Sequence, residues 1–133
     1  MSMALQQAIR WVTAVAVLVS GAVHLKLWFD GFSSIAVIGP SFLLNAGGAV
    51  VIAVLLLAWR HWLPALLAVG FGLATLGAFV VSATVGLFGV HEVWSGTPQV
   101  LSAVSEVVAV LGGVALLAGL RSAVAAPSRR QSA

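Results

Sequence analysis

The sequence predicts an all-α polytopic membrane protein, a four-transmembrane-helix up-down bundle. Three observations carry this. First, the 133 residues are 62% hydrophobic and only 7% charged, where a soluble domain carries about 25% charged residues. A surface so poor in charge must face lipid. Second, four apolar segments each approach the ~20 residues that a helix needs to cross the hydrocarbon core. Third, turn-forming residues separate those segments.

The spans are expected at 9–28, 41–59, 63–88 and 98–120. They are long, rich in Ala and Leu, and lack the apolar–polar alternation of barrel strands. Asp30-Gly31 and Gly39-Pro40 bracket the first connection, and the stretch between them is expected to lie in the interface or dip in as a short re-entrant piece. Trp59-Arg60-His61-Trp62 reads as a tight hairpin, with Pro64 suited to a first helical turn because its missing N–H is not needed there. Thr97 and Pro98 fit an N-cap and first helical position. The transmembrane domain is expected over 1–126, with a polar, disordered cytoplasmic tail at 127–133. The first segment begins like a signal peptide, with Arg10 before an apolar run. The run is long and no A-x-A site follows, so it is read as a retained span.

Basic residues in short loops stay on the cytoplasmic side. Four spans place Arg10, Arg60, Arg121, Arg129 and Arg130 on one side and only Lys26 on the other. The expected location is therefore the plasma membrane, multi-pass, with both termini cytoplasmic, as for a bacterial inner-membrane protein. Trp11, Trp59 and Trp62 fit one interface, and Trp28 and Trp94 the other.

Several function classes are excluded or unsupported. Six basic residues form no stripe able to neutralise a row of phosphates, so no nucleic-acid partner is expected. The absence of cysteine removes disulfides, thiolate metal sites and cysteine nucleophiles. No G-x-S-x-G, H-E-x-x-H or phosphate-binding glycine loop occurs, and no enzymatic activity is expected. His91-Glu92 opens like a zinc-protease motif whose second histidine is missing. His24, His91, Glu92 and Glu106 offer imidazole and carboxylate donors, but no metal-ligand spacing, and a haem on His24 and His91 has no motif behind it. No metal and no cofactor are expected.

Lipid tails are as apolar as leucine, so spans associate through close packing of small residues. Gly70, Ala74, Ala78, Ser82 and Gly86 recur every four residues and are expected to form a helix-packing ridge. Its partner is either another helix of the same chain or a second copy. Inward faces are also expected from Thr13, Ser20 and His24 on the first helix, from Asn45, Gly48 and Ala49 on the second, and from Ser102, Ser105, Glu106, Ala109, Gly112 and Gly113 on the fourth.

Charged groups inside a bilayer are costly and mark candidate sites. Glu106 lies about 12 Å into the fourth helix at 1.5 Å per residue. A lone carboxylate at that depth must be protonated or paired, with His24, Lys26 and Asn45 as expected partners. His24, Asn45, Glu106, His91 and Glu92 are therefore the candidate ligand-binding or proton-titrating residues, all toward the outer side. Lys26 and Asp30 are spaced to pair with each other.

Gly21-Ala22-Val23-His24-Leu25, Ile38-Gly39-Pro40-Ser41-Phe42-Leu43-Leu44-Asn45-Ala46 and Gly86-Leu87-Phe88-Gly89-Val90-His91-Glu92 resemble stretches of uncharacterised small four-span membrane proteins of high-GC Gram-positive bacteria. In layout these are similar to DoxX-like proteins. The resemblance implies a four-span fold and no defined chemistry. The expected function is binding of a small or lipidic ligand, or of a membrane partner, through a polar pocket in the outer half of the bundle. Two alternatives stand beside it: a small proton-coupled transporter using Glu106, and an accessory subunit of a larger membrane complex. The expected partners are the lipid bilayer and either a second copy or such a complex.

Overall fold

The structure, a computed structural model, describes residues 1–125. The sequence places four helices: α1 (Met3–Phe29), α2 (Ile38–Ala58), α3 (Trp62–Thr84) and α4 (Thr97–Ala125), with a single 3-10 turn at Phe32–Ser34. Each helix is long and apolar enough to cross a bilayer, and the chain is a multi-pass membrane protein. The tail at 127–133, with Arg129 and Arg130, lies outside the described residues.

Local chemistry sets the helix ends. The Ser2 side chain accepts a hydrogen bond from the Leu5 N–H at 3.1 Å, so α1 starts a turn and a half before its apolar run. Pro64 sits in the first turn of α3, and His61 caps that helix through Nδ1, which accepts from the Leu63 N–H at 3.3 Å. The ring of His61 also stacks on Trp59. α3 stops at Thr84, short of the expected 88, because Gly86 takes a φ of +86° and a tight turn follows at Leu87–Val90. The 29–39 connection is short and tightly turned. Val37 carries a φ of 70° and a ψ of −51° while the Ile38 N–H reaches the Ala36 carbonyl at 2.9 Å. That is a strained three-residue turn for a β-branched residue.

The helices run antiparallel. Ser20 meets Glu106 between α1 and α4, Arg10 meets Leu56 between α1 and α2, and Asn45 meets Thr75 between α2 and α3. One end of the bundle thus carries the N-terminus, the 59–61 turn and the end of α4, and is called the terminal end. The other carries the 30–37 and 85–96 connections, and is called the loop end. α1 packs closely on α2 and α4, and α4 packs closely on α3. α2 and α3, although consecutive, touch only sparsely. The order around the bundle is therefore α2, α1, α4, α3, with a gap between the first and last.

Small residues permit the close approaches. Ala14, Val17, Ala49, Leu56, Ala65, Ala68, Ala109 and Leu116 form the buried core. At Gly72 a Cβ would stand 2.7 Å from the Glu106 carbonyl oxygen. Only glycine lets α3 lie so near α4, and this contact fixes the depth at which Glu106 enters the bundle.

Arg10 is 1% exposed. Its Nη1 donates to the carbonyls of Leu56 at 2.9 Å and Trp59 at 3.2 Å. Those carbonyls close the C-terminus of α2, where backbone acceptors lack helical partners and the helix dipole favours a cation. Besides its place in the charge pattern, Arg10 fastens α1 to the end of α2.

Candidate functional site

A cavity of about 490 Å³ occupies the loop-end half of the bundle where α2 and α3 diverge. All four helices and the 85–96 connection contribute to it. Its walls are largely apolar, with Phe42, Phe71 and Phe79 among them, and its rim includes Leu44 and Phe88, which are 78% and 64% exposed. The α2 and α3 residues of the lining flank the gap where these two helices touch only sparsely.

Three sequence candidates come together here. His24, Asn45 and Glu106 all line the cavity, with Glu106 the farthest from the loop end of its helix. Glu106 is 1% exposed. Its Oε1 accepts from Ser20 Oγ at 3.0 Å and from Ser102 Oγ at 2.5 Å. Its Oε2 has no partner among the described residues. None of the expected pairings with Lys26, His24 or Asn45 occurs: Lys26 turns outward at the helix end and pairs with Asp30, His24 faces the Ser20 carbonyl, and Asn45 bonds Thr75. His24 places Nδ1 2.8 Å from the Ser20 carbonyl, and its ring meets Phe42 edge-on.

Asn45 reaches across the gap. Its Nδ2 donates to Thr75 Oγ1 at 3.0 Å, while the Thr75 hydroxyl donates to the Phe71 carbonyl at 2.8 Å. With its proton committed, Thr75 can only accept from Asn45. The amide orientation follows, and Asn45 Oδ1 is left buried without a partner among the described residues.

Glu92 stands at the mouth, where Oε2 accepts from Gln99 Nε2 at 3.3 Å. Its backbone N–H donates to Ser82 Oγ at 3.2 Å, and Ser82 Oγ donates to the Val90 carbonyl at 2.8 Å. Ser82 thereby fastens the 85–96 connection onto α3. His91 is elsewhere: it is exposed, and its ring folds against Gly86. Among the described residues no three His, Asp or Glu side chains gather into a metal-binding group.

Ala74, Ala78 and Ser82 face this cavity. Gly70 has open space beside it, and Gly86 lies in the turn after α3. The surface of α3 that meets α4 is instead the one bearing Ala65, Ala68 and Gly72.

Ser20, Thr75 and Ser102 complete the site and were not among the sequence candidates. Ser20 lies four residues before His24 and Ser102 four before Glu106, which puts each pair on one face. Thr75 is harder to see inside an apolar helix. Asn45 and Thr75 are equidistant from Arg60 along the chain, and a tight hairpin centred there brings them level.

No protein-family model, no curated protein and no solved structure matches the chain. The functional reading therefore rests on the cavity itself.

Proposed function

We propose that the protein binds an amphipathic small molecule or lipid, admitted from the bilayer through the gap between α2 and α3. The observation that carries this is the pairing of an apolar cavity with two buried oxygens that have no partner among the described residues, Glu106 Oε2 and Asn45 Oδ1. An unmet buried polar group costs about 1–3 kcal/mol, and a ligand group that meets it recovers that energy. The volume falls within the ~300–1,000 Å³ range of small-molecule sites. The excess of arginine at the terminal end supports cytoplasmic termini, and in that orientation the cavity opens at the outer leaflet of the plasma membrane.

A second reading draws on one feature of the same site. Glu106 is an intramembrane carboxyl group with one oxygen free, which suits a proton carrier coupled to ligand movement. Glu106→Gln separates the two. A transporter that must titrate this group loses transport, whereas a binding protein keeps its ligand with reduced affinity.

Native mass spectrometry of protein released directly from membranes tests the binding reading. The wild type is expected to retain a discrete bound species. Ala78→Trp, which fills the cavity, is expected to lose it while helical circular dichroism is unchanged. Identical spectra for the two proteins would contradict the proposal.

A further inference from the structure

The hydrogen-bond inventory of the cavity narrows the ligand class, an inference that rests on the binding reading above. Every hydroxyl lining the cavity already donates inside the protein. Ser41 donates to the Val37 carbonyl at 2.5 Å, Thr75 to Phe71, Ser82 to Val90, and Ser102 to Glu106. Of the side-chain amides, Asn45 and Gln99 each keep one uncommitted N–H, and acceptors outnumber them. Glu106 Oε2 and Asn45 Oδ1 are unpartnered among the described residues. His24 Nδ1 faces a carbonyl, which can only accept, so Nδ1 carries the proton and Nε2 of the neutral ring is a further acceptor.

Charge points the same way. The lining contains two carboxyl groups, Glu106 deep inside and Glu92 at the mouth, and no Lys or Arg among the described residues. The single lysine of the sequence, Lys26, is exposed and engaged with Asp30. A carboxyl group buried in an apolar site is ionised only when a cation balances it, so free acceptors and a deep carboxyl group between apolar walls are complementary to a cation that donates several hydrogen bonds from the end of an apolar body. An alcohol would bring no cation to Glu106, and a fatty acid would bring a further carboxyl group.

We propose that the ligand is a primary-ammonium amphiphile, its –NH₃⁺ group bound between Glu106 and Asn45 and its apolar body along the phenylalanine-lined wall toward α2 and α3. Two sources carry this chemistry: a free long-chain amine and a lipid with an aminoethyl headgroup.

The test uses the full chain in phosphatidylcholine nanodiscs with radiolabelled dodecylamine, subtracting empty discs. Saturable binding is expected, with dodecanol, dodecanoate and dodecyltrimethylammonium each competing at least tenfold less well. Glu106→Gln is expected to weaken binding at least tenfold. Glu92→Gln, outside the helices, is expected to weaken it about threefold, which provides a second reading should the helix variant fail to fold. Competition by phosphatidylethanolamine built into the discs assigns the lipid as the source, and its failure to compete assigns a free amine; either supports the proposal. Equal or better binding of dodecanol, dodecanoate or the quaternary amine overturns the ligand class and leaves the binding reading intact. So does wild-type affinity in both glutamate variants. If none of the four probes binds, both readings fall.

Discussion

Asn45 Nδ2 donates to Thr75 Oγ1 at 3.0 Å, the one side-chain hydrogen bond between α2 and α3 among the described residues. It spans the same gap through which the cavity opens. Toward the terminal end the two helices are joined by the 59–61 turn, while Arg10 of α1 holds the last carbonyls of α2. Toward the loop end no other side-chain hydrogen bond joins them among the described residues. This pair therefore bridges the gap between α2 and α3.

Thr75→Val removes the bridge with little change in shape. The Asn45 amide then loses its acceptor, and the expected cost is about 1 kcal/mol, since hydrogen bonds between spans average about 0.6 kcal/mol and reach about 1.7 kcal/mol. A modest fall in thermal midpoint in detergent checks this. Spin labels at exposed sites toward the loop ends of α2 and α3 should report a broader distance distribution than in the wild type.

Glu106 separates hydrogen bonding from charge. Gln at this position keeps a carbonyl oxygen for Ser20 and Ser102, so stability is expected to change by less than about 1 kcal/mol, the net worth of a typical hydrogen bond. Leu at this position removes the acceptor for both hydroxyls, and a loss of about 2 kcal/mol is expected from two such bonds. Thermal unfolding of the two variants side by side distinguishes them. An equal loss in both would mean that the charge, and not the two serine contacts, stabilises the bundle.

Arg10 is expected to matter for stability far more than a surface arginine. Arg10→Met retains most of the apolar stem and loses both carbonyl contacts at the end of α2. Hydrogen bonds to charged groups contribute about 1.5–3 kcal/mol, and a destabilisation of about 2 kcal/mol is expected by thermal or denaturant unfolding. Arg60→Met, whose described side-chain contact is a 3.4 Å bond to Gln7 between exposed groups, should change stability by under about 0.5 kcal/mol, as most surface substitutions do.

The 87–90 turn places Phe88 at the cavity rim through two consecutive positive φ values, 48° at Phe88 and 82° at Gly89. Gly89→Val puts a β-branched residue into this conformation, at a cost of about 1–3 kcal/mol. Gly89→Asn should be tolerated, because asparagine enters the left-handed region readily. Comparison of their thermal midpoints tests the turn, and loss of ligand binding in the valine variant alone would tie its geometry to the cavity mouth.

Much of this was legible in the sequence, for stated reasons. Low charge and four long apolar runs leave little choice but four spans, and Pro64 marks a helix start with a defined backbone role, whereas Gly86, read as part of the third helix, lies in the turn beyond it. Glu106 stood out because no other acidic residue lies so deep, and depth alone grouped it with His24 and Asn45. Its true partners, Ser20 and Ser102, were legible only as members of inward faces, although their four-residue spacing from His24 and Glu106 was visible. The ridge of Gly70, Ala74, Ala78 and Ser82 illustrates what periodicity leaves open. Small residues at every fourth position define a face, and the same small size that admits a neighbouring helix can instead make room for a cavity. The choice depends on which face of α3 meets α4, and Gly72 sets that by a backbone approach to Glu106 that no spacing rule reveals.

The most direct test of a bilayer-facing binding cavity is site-specific photo-crosslinking in native membranes. Benzoylphenylalanine replaces either Leu44, exposed at the cavity rim, or Val54, exposed on the same helix away from it. At position 44 one dominant adduct of defined mass is expected, and it should be lost when Ala78→Trp fills the cavity. At position 54 a mixture following the bulk lipid composition is expected. The same bulk-lipid mixture at both positions would contradict the claim that the gap between α2 and α3 selects a ligand.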